Sequence, residues 1–331
     1  MDGTADETAG GGTVADGVVD DGAGGEQRRG EQQPVVVGVD GSGTALRAAV
    51  WAADEAALRG APLRIVHAAP YARASSVGLR RAQSILALGY TVVHRARPDV
   101  DAHTERLDED APDALAAAAE SAQLLVVGMF GGSGVEDLIL RSVAIDVSAV
   151  ASCPVAVVRG HRSATADTRH VLLGVEDVAA DAAAVTAAFT DAALHRTGLV
   201  LLHAQHHDRD PAPSPPGLER QLEPWRTRYP EVDVEVRSEQ ASPTDALLEA
   251  AVHARLLVVG TRARGTMARI VHGSTSRTVL RGSPCPVVVV RRDARVAEPT
   301  GALARPAGAE TAPPSGPAGW ALHPHGRGEA R

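Results

Sequence analysis

The 331 residues are enough for about two domains of roughly 100 to 200 residues, and 44% hydrophobic content with only 2% aromatic asks for cores of Val, Leu, Ile and Ala, as in helices packed on a parallel sheet. The formal charge of -8 sits mostly in residues 1–33, which hold eight acidic residues against Arg28 and Arg29, so the remaining body is nearly neutral and has no basic stripe for nucleic acid. No lysine occurs, which excludes a Walker A lysine and Schiff-base chemistry, and no apolar run approaches the ~20 residues needed to cross a bilayer.

In chain order, residues 1–33 are rich in Gly, Asp, Glu and Thr and lack apolar periodicity, so they read as a disordered acidic arm. With no basic n-region followed by an apolar h-region, the expected location is the cytoplasm. Val35 to Asp40 reads as a buried strand ending on a carboxylate, and Gly41 to Thr44 turns the chain into a helix. That helix is expected to bury Leu46, Ala49, Val50, Ala53 and Ala57 and to stop at Gly60. A strand at Pro62 to Ala68, a long helical segment at Leu79 to Arg97 and an edge-type strand at Val100 to Leu107 follow. An Ala-rich helix opens at Pro112, and a strand at Leu124 to Gly128 leads through a glycine-rich loop to a helix around Leu138 to Ala151. The last strand of this unit is Pro154 to Val158. Five strands alternating with four helices predict a parallel sheet with helices on both faces.

The same order then begins again. Val171 to Glu176 repeats the first strand 136 residues on, Gly198 to Ala204 repeats the second with its His-Ala pair in register, and Leu256 to Gly260 and Pro286 to Arg291 repeat the fourth and fifth. The expected domains are residues 34–160 and 169–292, joined by a linker at 161–168 and followed by a disordered tail at 293–331. Cys153 and Cys285 are 132 residues apart, one per repeat, and read as small core residues.

In an open doubly wound sheet a ligand sits beyond the carboxyl ends of the strands where the strand order reverses. The polar and small residues at those ends are Asp40, His67, Ala68 and the segment from Gly128 to Gly134, with their counterparts in the second repeat. Glycines there let backbone approach a phosphate, and a following helix offers free N–H groups. The landmarks Val36-Val37-Gly38-Val39-Asp40-Gly41-Ser42, Val66-His67-Ala68, Leu125-Val126-Val127-Gly128 and Cys153-Pro154-Val155-Ala156-Val157-Val158 resemble those of the universal stress protein family, about over residues 34–160 and again over 169–292.

The resemblance implies a tandem member built from two five-stranded parallel α/β sheets, Rossmann-like and of the adenine nucleotide alpha hydrolase-like kind. It also implies binding of ATP, with Mg2+ accompanying it, by members that carry G-x2-G-x9-G-(S/T). Carried over residue by residue, the candidates are Asp40, Ala68, Gly128, Gly131 and Ser142 in the first repeat. In the second they are Glu176, Ala204, Gly260, Gly273, Ser274 and Ser276. Each repeat departs from the motif once: Arg141 stands in place of the third glycine, and Ala263 in place of the second. A guanidinium at 141 either pairs with a phosphate or fills the space the phosphate needs, and a position that calls for no side chain favours filling. If one repeat binds ATP, the expectation is therefore the second.

Two functions stay open: a nucleotide-binding stress-response module, at most a slow ATP hydrolase, and a scaffold acting through protein partners. Family members pair as dimers, so the resemblance implies that the two repeats form an internal pseudo-dimer, with further homodimerisation open. His203, His206, His207 and Asp208 form a metal-like cluster, but histidines in a polar loop are usually solvated and no metal is expected.

Overall fold

The computed structural model describes residues 32–73, 75–129, 135–159, 170–205, 215–261 and 274–298. The first repeat runs β1 (Val35–Gly38), α1 (Gly43–Arg59), β2 (Leu63–Ala68), α2 (Ser76–Ala96), β3 (Ala102–Leu107), α3 (Ala111–Ala119), β4 (Leu124–Met129), α4 (Val135–Val150) and β5 (Val155–Arg159). The second runs β6 (Val171–Val175), α5 (Ala182–Leu194), β7 (Leu199–Gln205), α6 (Pro215–Arg228), β8 (Val234–Gln240), α7 (Pro243–Ala251), β9 (Leu256–Thr261), α8 (Ser274–Gly282) and β10 (Val287–Arg291). A short 3-10 turn at Pro70–Arg73, between β2 and α2, has no counterpart in the sequence-based expectation.

The two expected five-stranded sheets are halves of one. The strand order is β3-β2-β1-β4-β5-β10-β9-β6-β7-β8, and every neighbouring pair is parallel except β5 and β10. There Val155, Ala156 and Val157 lie opposite Val289, Val288 and Val287 in antiparallel register. Equivalent strands meeting antiparallel is the arrangement a two-fold axis produces. It also covers two Val-rich edges that would otherwise invite aggregation. The free edges, β3 and β8, carry charged side chains instead, with Arg64 on Glu105 at 2.6 Å and Arg237 on Glu235 at 2.7 Å.

One face of the sheet is covered by α1, α2, α5 and α6, and the other by α3, α4, α7 and α8. Ser42 caps α1 by accepting from the Ala45 N–H at 3.1 Å, and Gly60 ends it in the left-handed region at φ 62°. The buried stripe of α1 is rotated from the expected one. Ala45, Ala48, Ala49, Ala52, Ala53 and Ala56 are buried, whereas Leu46, Val50 and Ala57 are half-buried at the margin. The helix lies flat over the centre of the sheet, and close approach there selects methyl groups while the larger side chains cover the flanks.

Where α1 and α5 end, four charged side chains meet across the seam between the repeats. Arg59 reaches Glu55 at 2.7 Å and Asp191 at 2.6 Å, while His195 Nε2 lies 2.9 Å from Glu55 and its Nδ1 accepts from Arg255 at 3.1 Å. Asp191 and His195 are the counterparts of Glu55 and Arg59, 136 residues on. Burial pushes both carboxyl groups up. For Asp191 it prevails, whereas for Glu55 Arg59 and His195 outweigh it and hold the pKa down at about 2.

The chain beyond β10 also ties the repeats together. Arg291 donates to Val150 O at 2.6 Å, the Arg295 N–H donates to Ser152 O at 2.8 Å, and the Arg295 guanidinium reaches Glu120 O. Ala294 and Val296 pack against the core, and Glu298 pairs with Arg228. The tail expected to lack structure from Asp293 is thus placed through Glu298, because its first residues bury apolar surface. At the other end Gln32 donates to Arg59 O at 2.7 Å, so the placed chain starts slightly inside the expected arm. Cys153 and Cys285 are buried free thiols, as expected, and burial pushes the Cys153 thiol up to about 12.

Candidate functional site

In each half the strand order reverses between the first and fourth strands, which places any ligand crevice at the carboxyl ends of β1, β2 and β4. An open cleft of about 550 Å³, solvent mouth included, lies there in the first repeat. Gly38, Val39 and Asp40 follow from β1, Val66, His67 and Ala68 from β2, and Val127 and Gly128 from β4. Ala45 of α1, Ala111 and Leu115 of α3, and Val143 and Ala144 of α4 complete it. The lining is mostly aliphatic, with Asp40 and His67 as its charged and titratable groups, and its size is in the range of small-molecule sites.

The polar groups are held by the local backbone. One Asp40 oxygen accepts from the Ser42 N–H at 2.8 Å, leaving the rest of the carboxylate for a donor in the cleft. His67 is buried, with Nδ1 2.7 Å from Val39 O and Nε2 2.8 Å from the Tyr71 hydroxyl. A carbonyl oxygen only accepts, so Nδ1 carries the proton and Nε2 accepts from Tyr71. Burial pushes the His67 pKa down, which keeps this neutral form. With both nitrogens engaged, His67 is a wall of the cleft and is not free to act as a base.

Gly128 lines the cleft, but the need for glycine comes from packing. A Cβ there would sit 3.0 Å from Ala45 N, Ala45 Cα and Thr44 C, all backbone atoms at the start of α1. Gly38 is similar, since its Cβ would meet Leu115 at 3.1 Å. Of the first-repeat candidates, Asp40, Ala68 and Gly128 are brought together. Gly131 lies outside the described residues, and Ser142 and Arg141 fall on α4 with side chains outside them.

In the second repeat Glu176, Ala204 and Gly260 stand at the corresponding ends of β6, β7 and β9. Gly273 and Ala263 lie outside the described residues, and Ser274 and Ser276 start α8 with side chains outside them. The edge itself differs. α5 begins at Ala182, three positions later than its alignment with Gly43 requires, and the preceding turn is closed by Asp177, which accepts from the Ala180 N–H at 2.8 Å. Asp181, the counterpart of Ala45, is 4% exposed. Its Oδ2 accepts from the Glu176 N–H at 3.2 Å, and its Oδ1 lies 2.9 Å from where a Cβ on Gly260 would stand. His203 is buried, and among the described residues neither of its ring nitrogens has a hydrogen-bond partner.

Motif reasoning missed Ala45, Leu115 and Val143 as cleft walls, because they come from helix faces. It also missed Asp181, although placing the repeats in register sets a carboxylate against an alanine. His206, His207 and Asp208 lie outside the described residues, and among the described residues no group of His, Cys, Asp and Glu could hold a metal. Nor is any described helix long and apolar enough to cross a membrane.

The model of the Universal stress protein family matches residues 32–159 and 167–291. A universal stress protein of Mycolicibacterium smegmatis is 33% identical over 287 residues, spanning 78% of this chain and 96% of that one. The solved universal stress protein of Archaeoglobus fulgidus DSM 4304 superposes with a TM-score of 0.61 at 19% identity, covering 78% of this chain and 96% of that one. Another universal stress protein from Archaeoglobus fulgidus, solved in complex with dAMP, is 28% identical and covers 39% of this chain and 98% of its own, with a TM-score of 0.33.

Proposed function

The chain belongs to the universal stress protein family, and on that premise we propose that it is a stress-response module that binds an adenine nucleotide, ATP with Mg2+, in the cleft of its first repeat. The observation that carries this reading is the cleft at the ends of β1, β2 and β4, an aliphatic slot with one carboxylate at its edge. The slot between Val39, Ala68, Leu115 and Val143 suits the flat, weakly polar faces of a purine. Asp40 retains acceptor capacity for a ribose hydroxyl. Gly131 and Ser142 would meet the phosphates. ATP would supply a bound, charged group whose presence shifts a conformational or partner equilibrium, while the chain's own residues only hold and orient it.

The motif comparison favoured the second repeat, with Glu176, Ala204, Gly260, Gly273, Ser274 and Ser276 as contacts. The cleft favours the first, because a binding slot needs empty volume as well as a glycine pattern. One observation supports a second reading, a scaffold that works through protein partners: helix packing alone accounts for glycine at 128.

Calorimetric titration of the full chain with ATP and magnesium separates them. One equivalent per chain is expected, lost in Ala68→Phe, which fills the slot, and kept in Ala204→Phe, the matching change in the other half. The reverse pattern would return the site to the second repeat. No heat and no thermal stabilisation at millimolar ATP would leave the scaffold.

A further inference from the structure

The edge of β6 holds acidic residues at 176, 177 and 181, where the edge of β1 has Asp40, Gly41 and Ala45. In the first repeat the backbone of α1 passes over Gly128 and leaves the cleft open above Ala45. In the second, the helix starts later and the Asp181 carboxylate occupies the equivalent place, in contact with Gly260 and tied to the Glu176 N–H. A buried carboxylate at that position takes the volume beside the fourth-strand glycine. It also repels any phosphorylated ligand at a few ångströms, where partial desolvation strengthens the repulsion.

We infer that the second repeat is closed to phosphorylated ligands by its own Asp181, so that the chain binds a single nucleotide although it contains two copies of the fold. This rests on the reading that the cleft of the fold takes an adenine nucleotide. Asp181 is then the residue that makes the duplicated chain asymmetric: Ala45 leaves one copy open, and its counterpart seals the other.

The test is equilibrium titration with ATP and magnesium of four full-length proteins: wild type, Asp181→Ala, Ala68→Phe and the double variant. The expected stoichiometries are one, two, none and one. Should Asp181→Ala fail to fold, Asp181→Asn, which keeps an acceptor for Glu176 N–H and removes the charge, carries the same expectation. Two equivalents in the wild type would overturn the inference, as would an unchanged stoichiometry in folded variants at position 181. A wild type that binds nothing, with one equivalent gained in Asp181→Ala, would support the inference while the first-repeat site proposed above failed.

Discussion

In the first repeat α1 starts at Gly43 and its backbone rests on Gly128; in the second α5 starts at Ala182 and a carboxylate side chain rests on Gly260. The strands beneath are closely alike, with Val36, Val37 and Gly38 of β1 matched by Leu172, Leu173 and Gly174 of β6 and all of them packed between the helical layers. Duplicated copies thus agree where both faces of a strand must be filled and differ where the chain leaves the sheet. Packing density constrains the core to small changes of volume. The strand ends face solvent or ligand, so charge and helix length can change there without disturbing the layers.

The seam offers the strongest way to break the resemblance between the halves. Arg59 is the bridge between Glu55 and Asp191, and its counterpart His195 is a weaker cation. Arg59→Ala would leave two buried carboxylates without their shared guanidinium, and is expected to cost about 3–5 kcal/mol in chemical denaturation. A loss under 1 kcal/mol would mean that the seam charges are solvated in solution.

The two fourth-strand glycines should differ less, but in a telling order. Gly128→Ala drives a methyl into α1 backbone and is expected to cost about 1–3 kcal/mol. Gly260→Ala meets only the end of the Asp181 side chain, which can turn, and should cost less. Equal losses by thermal unfolding would show that Asp181 is as rigid as backbone.

The smallest effect concerns the ends of α1 and α5. Gly60 and its counterpart Arg196 both adopt left-handed backbone, at φ 62° and φ 50°. Their caps match: Gly60 N donates to Ala57 O and Arg196 N to Ala193 O, both at 3.1 Å. Only glycine takes this conformation without a steric penalty, so Arg196→Gly is expected to stabilise by about 1 kcal/mol. No gain would indicate that the Arg196 side chain makes contacts worth as much as the strain.

Much of this was legible in the residues. Short Val-rich runs ending in glycine or a carboxylate located β1, β4, β6 and β9, and the 136-residue offset exposed the duplication because buried strands tolerate few substitutions. Asp40, Ala68 and Gly128 were placed at one cleft by topology alone, since strand ends of a parallel sheet converge. The face of α1 was misread by about one position, because a sheet-packed helix buries alanine and periodicity arguments weight the larger Leu46 and Val50. The ordered stretch 293–298 was hidden by a Pro- and Ala-rich composition that says nothing about Ala294 and Val296 finding a seam to cover.

The order of strands and helices, the repeat and the family follow from local pattern, because a strand buried on both faces or a capped helix is written in adjacent residues. Whether two sheets join into one depended on β5 and β10 meeting antiparallel, a match between edges over a hundred residues apart. The joining of Glu55, Arg59, Asp191 and His195 had the same origin, since charges on separate helices become a network only when the helices are laid side by side. Which copy keeps an open cleft was decided in three dimensions as well: an alanine and an aspartate at matching positions acquire opposite consequences only once a helix start and a glycine are brought against them.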